Sequence, residues 1–319
     1  VIISRTPYRL SFFGGGTDYP AWYRKHGGTV LATTIDKYCY LSCRYLPPFF
    51  EHKYRLVYSK IESCHTIEDI AHPVVRELLT YLGVERGVEV HHDGDLPARS
   101  GMGSSSAFTV GLLNALHALK GTMPSKQQLA SEVIFVEQEL LQETVGSQDQ
   151  VLAAYGGFNH ITFLSTGGIS VHPVTIAPER IQLLNDHFML FYTGIKRTAA
   201  NVAATYVNDL DTRKRQLRIV KDLVDEALSI LNGTGEIDGF GELLHEAWLA
   251  KRSLSASVSN SHVDDIYELA RSARRARRQT HRSGWRGIHA AFCTAVQPTA
   301  CENRAKQSDS GSLPFRGRR

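Results

Sequence analysis

Cysteine is scarce in this chain and badly spaced for metal or disulfide work. None of Cys39, Cys43, Cys64, Cys293 and Cys301 falls in a CxxC pair or a His/Cys ligand spacing, so reduced thiols are expected. Cys39 and Cys43 lie in the apolar run Tyr38–Leu46, where packing is their expected role. No apolar run approaches the length of a membrane-spanning helix, and Val1-Ile2-Ile3 is too short for a signal peptide. The expectation is a cytoplasmic protein. Internal repeats and low-complexity linkers are also missing. Acidic residues are nearly absent from one stretch, residues 274–319, where 11 Lys/Arg face only Glu302 and Asp309. The remainder carries 25 basic and 30 acidic residues, so the overall charge of +4 hides a mildly acidic body and a basic tail. Nucleic-acid or membrane contact would rest on that tail alone.

What is present is organised around Leu96–Ala107. A polar turn, Gly101-Met102-Gly103-Ser104-Ser105-Ser106, runs straight into an apolar helix pattern at Phe108, Val110, Leu112, Leu113, Leu116 and Leu119. Glycines let the backbone approach a ligand, and the first amides of a helix form a donor surface for an anion. The stretch reads either as a phosphate cradle or as a loop that caps a helix. It is neither of two familiar phosphate loops. No Lys follows Gly103, as a Walker loop requires, and position 106 is Ser where a Rossmann turn requires Gly.

Strands are expected at Val1–Phe13, Thr29–Ile35, Tyr38–Leu46, Glu51–Ser59, Val88–His91, Ile161–Leu164, Gly168–Val174 and His187–Tyr192. Helices are expected at Ile67–Leu82, after the central turn, from a Ser125 cap to about Leu141, over Val151–Tyr155, and at Ala199–Asn208, Thr212–Leu231, Phe240–Leu254 and Val263–Ala273. Glu137 falls among apolar positions, one turn past Val133, and a carboxylate facing inward there needs a metal or a basic partner. Asp149 opens the segment after Gly146-Ser147-Gln148, where an acid serves either to cap a helix or to act on a substrate. Thr17 and Asp18 close a glycine loop, Gly14-Gly15-Gly16, and either face a ligand or supply turn chemistry.

Three segments taken together resemble one family. Pro7–Tyr19, Pro97–Ala107 and Gly146–Gln150 are similar, in order and spacing, to the substrate, phosphate and catalytic motifs of the GHMP kinase superfamily. The resemblance covers about residues 1–270. It implies an α+β, two-domain fold, with a ribosomal-S5-like α/β domain over 1–165 and a ferredoxin-like α+β domain over 166–273. It implies ATP and Mg²⁺ as cofactors and a sugar as acceptor, with no nucleic acid and no membrane. Asp149 and Arg9 would be catalytic, Arg9 keeping Asp149 ionised. Pro97, Gly101, Met102, Gly103, Ser104, Ser105 and Ser106 would hold ATP. Ser105, with Ser104 as the neighbouring option, and Glu137 would hold the metal. Gly15, Gly16, Thr17 and Asp18 would meet the sugar. Tyr192–Arg197 and Ala247–Ser255 are similar to the heptose 7-phosphate kinase branch. There a phosphorylated acceptor needs cations, and Lys196, Arg197, Lys251 and Arg252 are candidates, or else solvated surface charges. Fucokinase- or galactokinase-type activity and a non-catalytic sensor are the alternatives.

The family's third motif, a C-terminal Gly-rich loop, is missing where Arg274–His289 stands. Codons compatible with Arg278–Cys293, read from the second base, give Gly-Lys-Leu-Ile-Gly-Ala-Gly-Gly-Gly-Gly-Phe-Met-Leu-Leu-Phe. A frameshift near codon 273 is therefore expected, leaving 274–319 out of frame and disordered, the second domain short of a strand, and the chain unstable, with weak or no turnover. Sequencing the DNA across codon 273 tests this. A well-supported, unshifted frame would remove the explanation.

Overall fold

In the computed structural model, residues 1–98, 100–192, 210, 212–255, 258–280 and 289–293 are described. The chain divides into two compact units. One comprises Val1–Arg9, Thr34–Ala98 and Met102–Gly156; the other comprises Leu10–Thr33, a short piece ending at Gly101, and the described residues from Gly157 onward. Compactness thus follows neither contiguous half of the sequence, and residue 165 lies inside the second unit.

Strand β1 (Ile2–Phe13) pairs with β2 (Gly28–Tyr45). β2 was expected as two strands, but it is a single run of 18 residues, because Asp36-Lys37 carries no glycine or proline to turn the chain. In the first unit, the later part of β2 pairs antiparallel with β5 (Val88–Gly94). β5 pairs parallel with β3 (Tyr54–Val57), and β3 turns back on β4 (Ile61–Cys64), a short strand that the alternation did not reveal. Helices α2 (Pro73–Tyr81), α3 (Ser104–Leu119), α4 (Lys126–Phe135) and α5 (Gln148–Tyr155) complete this unit. α2 starts six residues later than periodicity predicted. Pro73 sits at its first position, and the residue before a proline is disfavoured in helical conformation, so His72 is extended. α4 opens as expected, with the Ser125 hydroxyl accepting from the Gln128 amide at 3.1 Å. Cys39, Cys43 and Cys64 are free and buried, and burial pushes the Cys39 and Cys43 thiols up to about 12, as inert packing groups should be.

The second unit joins the first six residues of β2 to β6 (Phe158–Phe163) and β6 to β7 (Ile169–Pro173), all antiparallel. It also holds α1 (Pro20–His26), α6 (Pro178–His187), α7 (Lys214–Asn232), α8 (Asp238–Arg252) and α9 (Ser261–Thr280). Its core is aromatic. Phe12 meets Phe158, Phe188 and Phe240 with ring centroids 5.2–5.8 Å apart, and Phe13 meets Phe240 at 5.1 Å, edge to face.

The expectation for the basic tail needs correction. α9 runs to Thr280, because Arg274, Arg275, Ala276, Arg277 and Arg278 are good helix formers and extend a helix already nucleated. Strand β9 (His289–Cys293) pairs in parallel with β8 (Phe188–Tyr192), so the second unit keeps a strand there. The expected helix at Ala199–Asn208 lies outside the described residues, as does the segment from residue 294 on. Among the described residues, no helix is long and apolar enough to cross a membrane.

Within the first unit, Glu89 on β5 is nearly buried and sits between Arg55, at 2.5 Å, and Arg44, at 2.6 Å, with His91 at 3.1 Å. Burial raises its carboxyl, but Arg55, His91 and Arg44 outweigh this and hold it at about 2. A carboxyl held below its ordinary value stabilises the fold above that ordinary value, and the stabilisation is lost as pH falls towards 2. The arginines are 42% and 36% exposed, which screens the pairs. Glu89→Gln is therefore expected to cost only about 1–2 kcal/mol at pH 7. Urea unfolding of both proteins at pH 7 and pH 3 checks this, and a gap that does not shrink at pH 3 rules the ion pairs out as its source.

Candidate active site

The central turn does what a close-approach loop must. Gly101 and Gly103 are both left-handed, with φ 73°. Gly103 is the N-cap of α3 and provides no side-chain cap, so the first-turn amides and the positive end of the helix are presented without one. A Cβ on Gly103 would lie 3.1 Å from Arg9 Cγ and 3.4 Å from Asp149 Oδ2. The left-handed backbone demands glycine, and a Cβ there would also press on both neighbours.

Those neighbours form a fork. Arg9 Nε donates to Asp149 Oδ1 at 2.6 Å and Arg9 Nη2 donates to Oδ2 at 2.7 Å, joining positions 140 residues apart. The Arg9 backbone amide donates to the Met102 carbonyl at 3.1 Å, so the same residue also ties β1 to the turn. Both side chains of the pair are mostly buried. Asp149 stands in the first turn of α5, where an acid is favoured by the helix, and its bidentate partner fixes the plane of the carboxylate.

A second carboxylate lies on the continuation of α4. The helix widens into a π turn over Val136–Leu140, a form that recurs at functional sites, and Glu137 sits in it at 1% exposure. Its Oε2 accepts from Ser106 Oγ at 2.9 Å and from Gln150 Nε2 at 2.6 Å. Its Oε1 is buried and has no hydrogen-bond partner; the nearby Thr109 hydroxyl donates instead to the Ser105 carbonyl at 3.1 Å. Burial pushes the carboxyl up to about 7, against the pull of the nearby Thr109 hydroxyl and of the Gln150 and Ser106 donors, and the Glu143 charge adds to the rise. No basic partner reaches Glu137 among the described residues. Of the two partners expected for it, a cation is the one this donor set fits: an orphaned carboxylate oxygen beside serine hydroxyls at a helix start. The described residues hold no group of three or more His, Cys, Asp or Glu that could bind a metal without further ligands.

The other candidates separate. Ser105 is exposed at the start of α3, whereas the hydroxyl bonded to Glu137 belongs to Ser106. Met102 is buried and Pro97 exposed. In the second unit, Gly15, Gly16, Thr17 and Asp18 are all buried. The Thr17 hydroxyl donates to the carbonyls of Gly14 and Thr29 and accepts from the Thr29 amide, and so closes the loop. Gly14 (φ 81°) permits this, since a Cβ there would lie 1.9 Å from the Thr29 carbonyl oxygen. Asp18 Oδ1 accepts from the Gly16 amide at 2.8 Å. Arg252 pairs with Asp264 at 3.3 Å. Lys196 and Arg197 lie outside the described residues. Sequence reasoning missed the Ser106 hydroxyl and Gln150 as partners of Glu137. The available signal was a glutamine between Asp149 and the apolar Val151-Leu152, on a short helix that had to bury that face.

The family model of the GHMP kinases N terminal domain matches residues 68–157, which contain the central turn, Glu137 and Asp149. The D-glycero-alpha-D-manno-heptose 7-phosphate kinase of Campylobacter jejuni is 27% identical over 84% of this chain and 82% of its own length. Residues 68–157 thus carry the features of a GHMP kinases N terminal domain, and the chain is similar to a kinase of that kind over most of its length. The matches are to ATP-dependent phosphotransferases with an alcohol acceptor, and that is the enzyme class of this chain. The bifunctional fucokinase/GDP-fucose pyrophosphorylase of Arabidopsis thaliana is 25% identical over 83% of this chain, which spans 27% of that longer protein. Among solved structures, a D-glycero-D-manno-heptose 1-phosphate kinase from Bacteroides thetaiotaomicron matches with a TM-score of 0.65, at 22% identity over 79% of each chain, and has the same α+β fold.

The crowding at Gly103 can be separated from its backbone strain. Gly121 has a similar φ of 75° but nothing within 4 Å of a Cβ. Gly121→Ala is expected to lose about 1–2 kcal/mol from left-handed strain alone. Gly103→Ala should lose more, because it also displaces Arg9 and Asp149. Equal losses in chemical denaturation would show that the fork does not crowd the turn.

Proposed function

We propose that this chain is a GHMP kinase that transfers the γ-phosphoryl group of ATP to the anomeric hydroxyl of a D-glycero-D-manno-heptose 7-phosphate. The product is the 1,7-bisphosphate, a precursor of nucleotide-activated heptose. The observation that carries the reading is the bidentate Arg9–Asp149 pair set against Gly103. Likeness to the Campylobacter jejuni enzyme over most of both chains supports the choice of sugar.

In this reading Asp149 accepts the proton of the acceptor hydroxyl. Arg9 holds the carboxylate in one plane and offsets charge that develops on the transferred group. The turn from Gly101 to Ser106 wraps the triphosphate with backbone donors. Glu137, with the exposed Ser105 hydroxyl or that of Ser104, would hold Mg²⁺. A divalent cation held there would supply positive charge to offset that of the phosphates. Asp18, on the loop closed by Thr17, meets the sugar hydroxyls together with Gly15 and Gly16. Lys196 and Arg197 are the candidates for the 7-phosphate. A fucokinase-type specificity is the second reading, favoured by the likeness to the Arabidopsis thaliana protein.

A panel of heptose 7-phosphate, fucose and galactose decides between the two, run on the chain as written and on its frame-restored form. Turnover confined to the unphosphorylated sugars would overturn the heptose assignment. In whichever form is active, Asp149→Asn should lower kcat by about 10²–10⁴-fold with little change in KM. Arg9→Lys should also be impaired, because a lysine cannot make the fork. Wild-type kcat in Asp149→Asn would remove the residue from the chemistry.

A further inference from the structure

Glu137 is held in an unusually lopsided way. A carboxylate offers acceptor sites on both oxygens, yet both of its donors, Gln150 Nε2 at 2.6 Å and Ser106 Oγ at 2.9 Å, fall on Oε2. Oε1 is left buried and without a donor, an arrangement that is destabilising by itself. The donors are as deeply buried as the acceptor, with Gln150 at 0% and Ser106 at 4% exposure. Both are neutral. They orient the carboxylate without cancelling its charge, which an arginine or lysine in either place would do. Gln150 also follows Asp149 directly in the first turn of α5, so the residue that holds Glu137 and the residue held by Arg9 share one rigid element.

From this geometry we infer that Gln150 and Ser106 are positioning residues, a two-sided clamp on Glu137 Oε2 that keeps Oε1 turned to the cation. The clamp ties the metal carboxylate to the helix that carries Asp149, so the two carboxylates are set together. The inference rests on the reading of Glu137 as a cation ligand. It adds Gln150, and it gives Ser106 a duty other than contact with ATP or metal. Neutral groups that orient a metal ligand typically contribute a factor of about 10–100 in metal affinity.

The test reads metal binding directly and does not depend on turnover. Mn²⁺ is titrated into the full chain with a non-hydrolysable ATP analogue, and free Mn²⁺ is followed by electron paramagnetic resonance. Binding of the analogue alone is measured in EDTA. Gln150→Leu and Ser106→Ala should each weaken Mn²⁺ binding about tenfold; for Gln150→Leu, binding of the metal-free analogue should stay within twofold of the parent, and for Ser106→Ala it should fall by less than Mn²⁺ binding does. Equal losses in both measurements would indicate general disruption and overturn the clamp. If Gln150→Leu does not fold, Ser106→Ala, which removes one oxygen, decides alone. Glu137→Gln separates the two levels. If it loses Mn²⁺ while the clamp variants bind like the parent, the clamp fails and the ligand assignment stands. If Glu137→Gln itself binds Mn²⁺ like the parent, the assignment fails and the clamp fails with it.

Discussion

The first unit depends on one charge-assisted contact, the fork between Arg9 and Asp149. It joins the first strand to the first turn of α5 and sets the size limit at Gly103. Through its own backbone amide, Arg9 also fixes the carbonyl of Met102. A planar guanidinium suits this task because two parallel hydrogen bonds determine orientation as well as distance. The turn that leads into α3 can therefore be glycine-rich without being loose. Its conformation is set by what lies beside it, and the left-handed residues only make that conformation accessible.

Glu137 presents the opposite problem. A carboxylate in the interior needs compensation, and the protein supplies only neutral donors, on one oxygen. The comparison with Glu89 is instructive. Glu89 is also nearly buried, but Arg55, His91 and Arg44 surround it and hold its carboxyl at about 2. One acid is complete within the fold, and the other, raised to about 7, is left open to a further charge. The same residue type thus serves stability in one place and readiness for a ligand in the other, and only the surroundings distinguish them.

Much of this was legible in the sequence, for physical reasons that differ by element. The turn before α3 is marked by glycine and serine followed by helical periodicity, and the inward placement of Glu137 by its spacing from Val133. The start of α2 was missed because apolar periodicity over Ile67–Leu82 ignored what Pro73 does to the residue before it. The break expected within β2 failed because charged residues alone do not end a strand. β4 is too short and too exposed to alternate visibly. Which serine bonds Glu137 could not be read from three in a row, since helix rotation decides it and the sequence does not state the rotation. Nor could Thr17 be recognised as the closure of its own loop, because its partner strand begins more than ten residues later.

The π turn at Val136–Leu140 has a consequence for how this protein can change through inheritance. A π turn is in effect a regular helix carrying one residue too many, and its hydrogen bonding is poorer than that of the helix it interrupts. Loss of one codon within it would let the helix relax into regular form and would rotate Glu137 away from Ser106 and Gln150. Such a lineage would gain a better-formed helix and lose the open carboxylate. π turns of this kind recur at functional sites, and here the irregular turn carries the carboxylate left open to a cation.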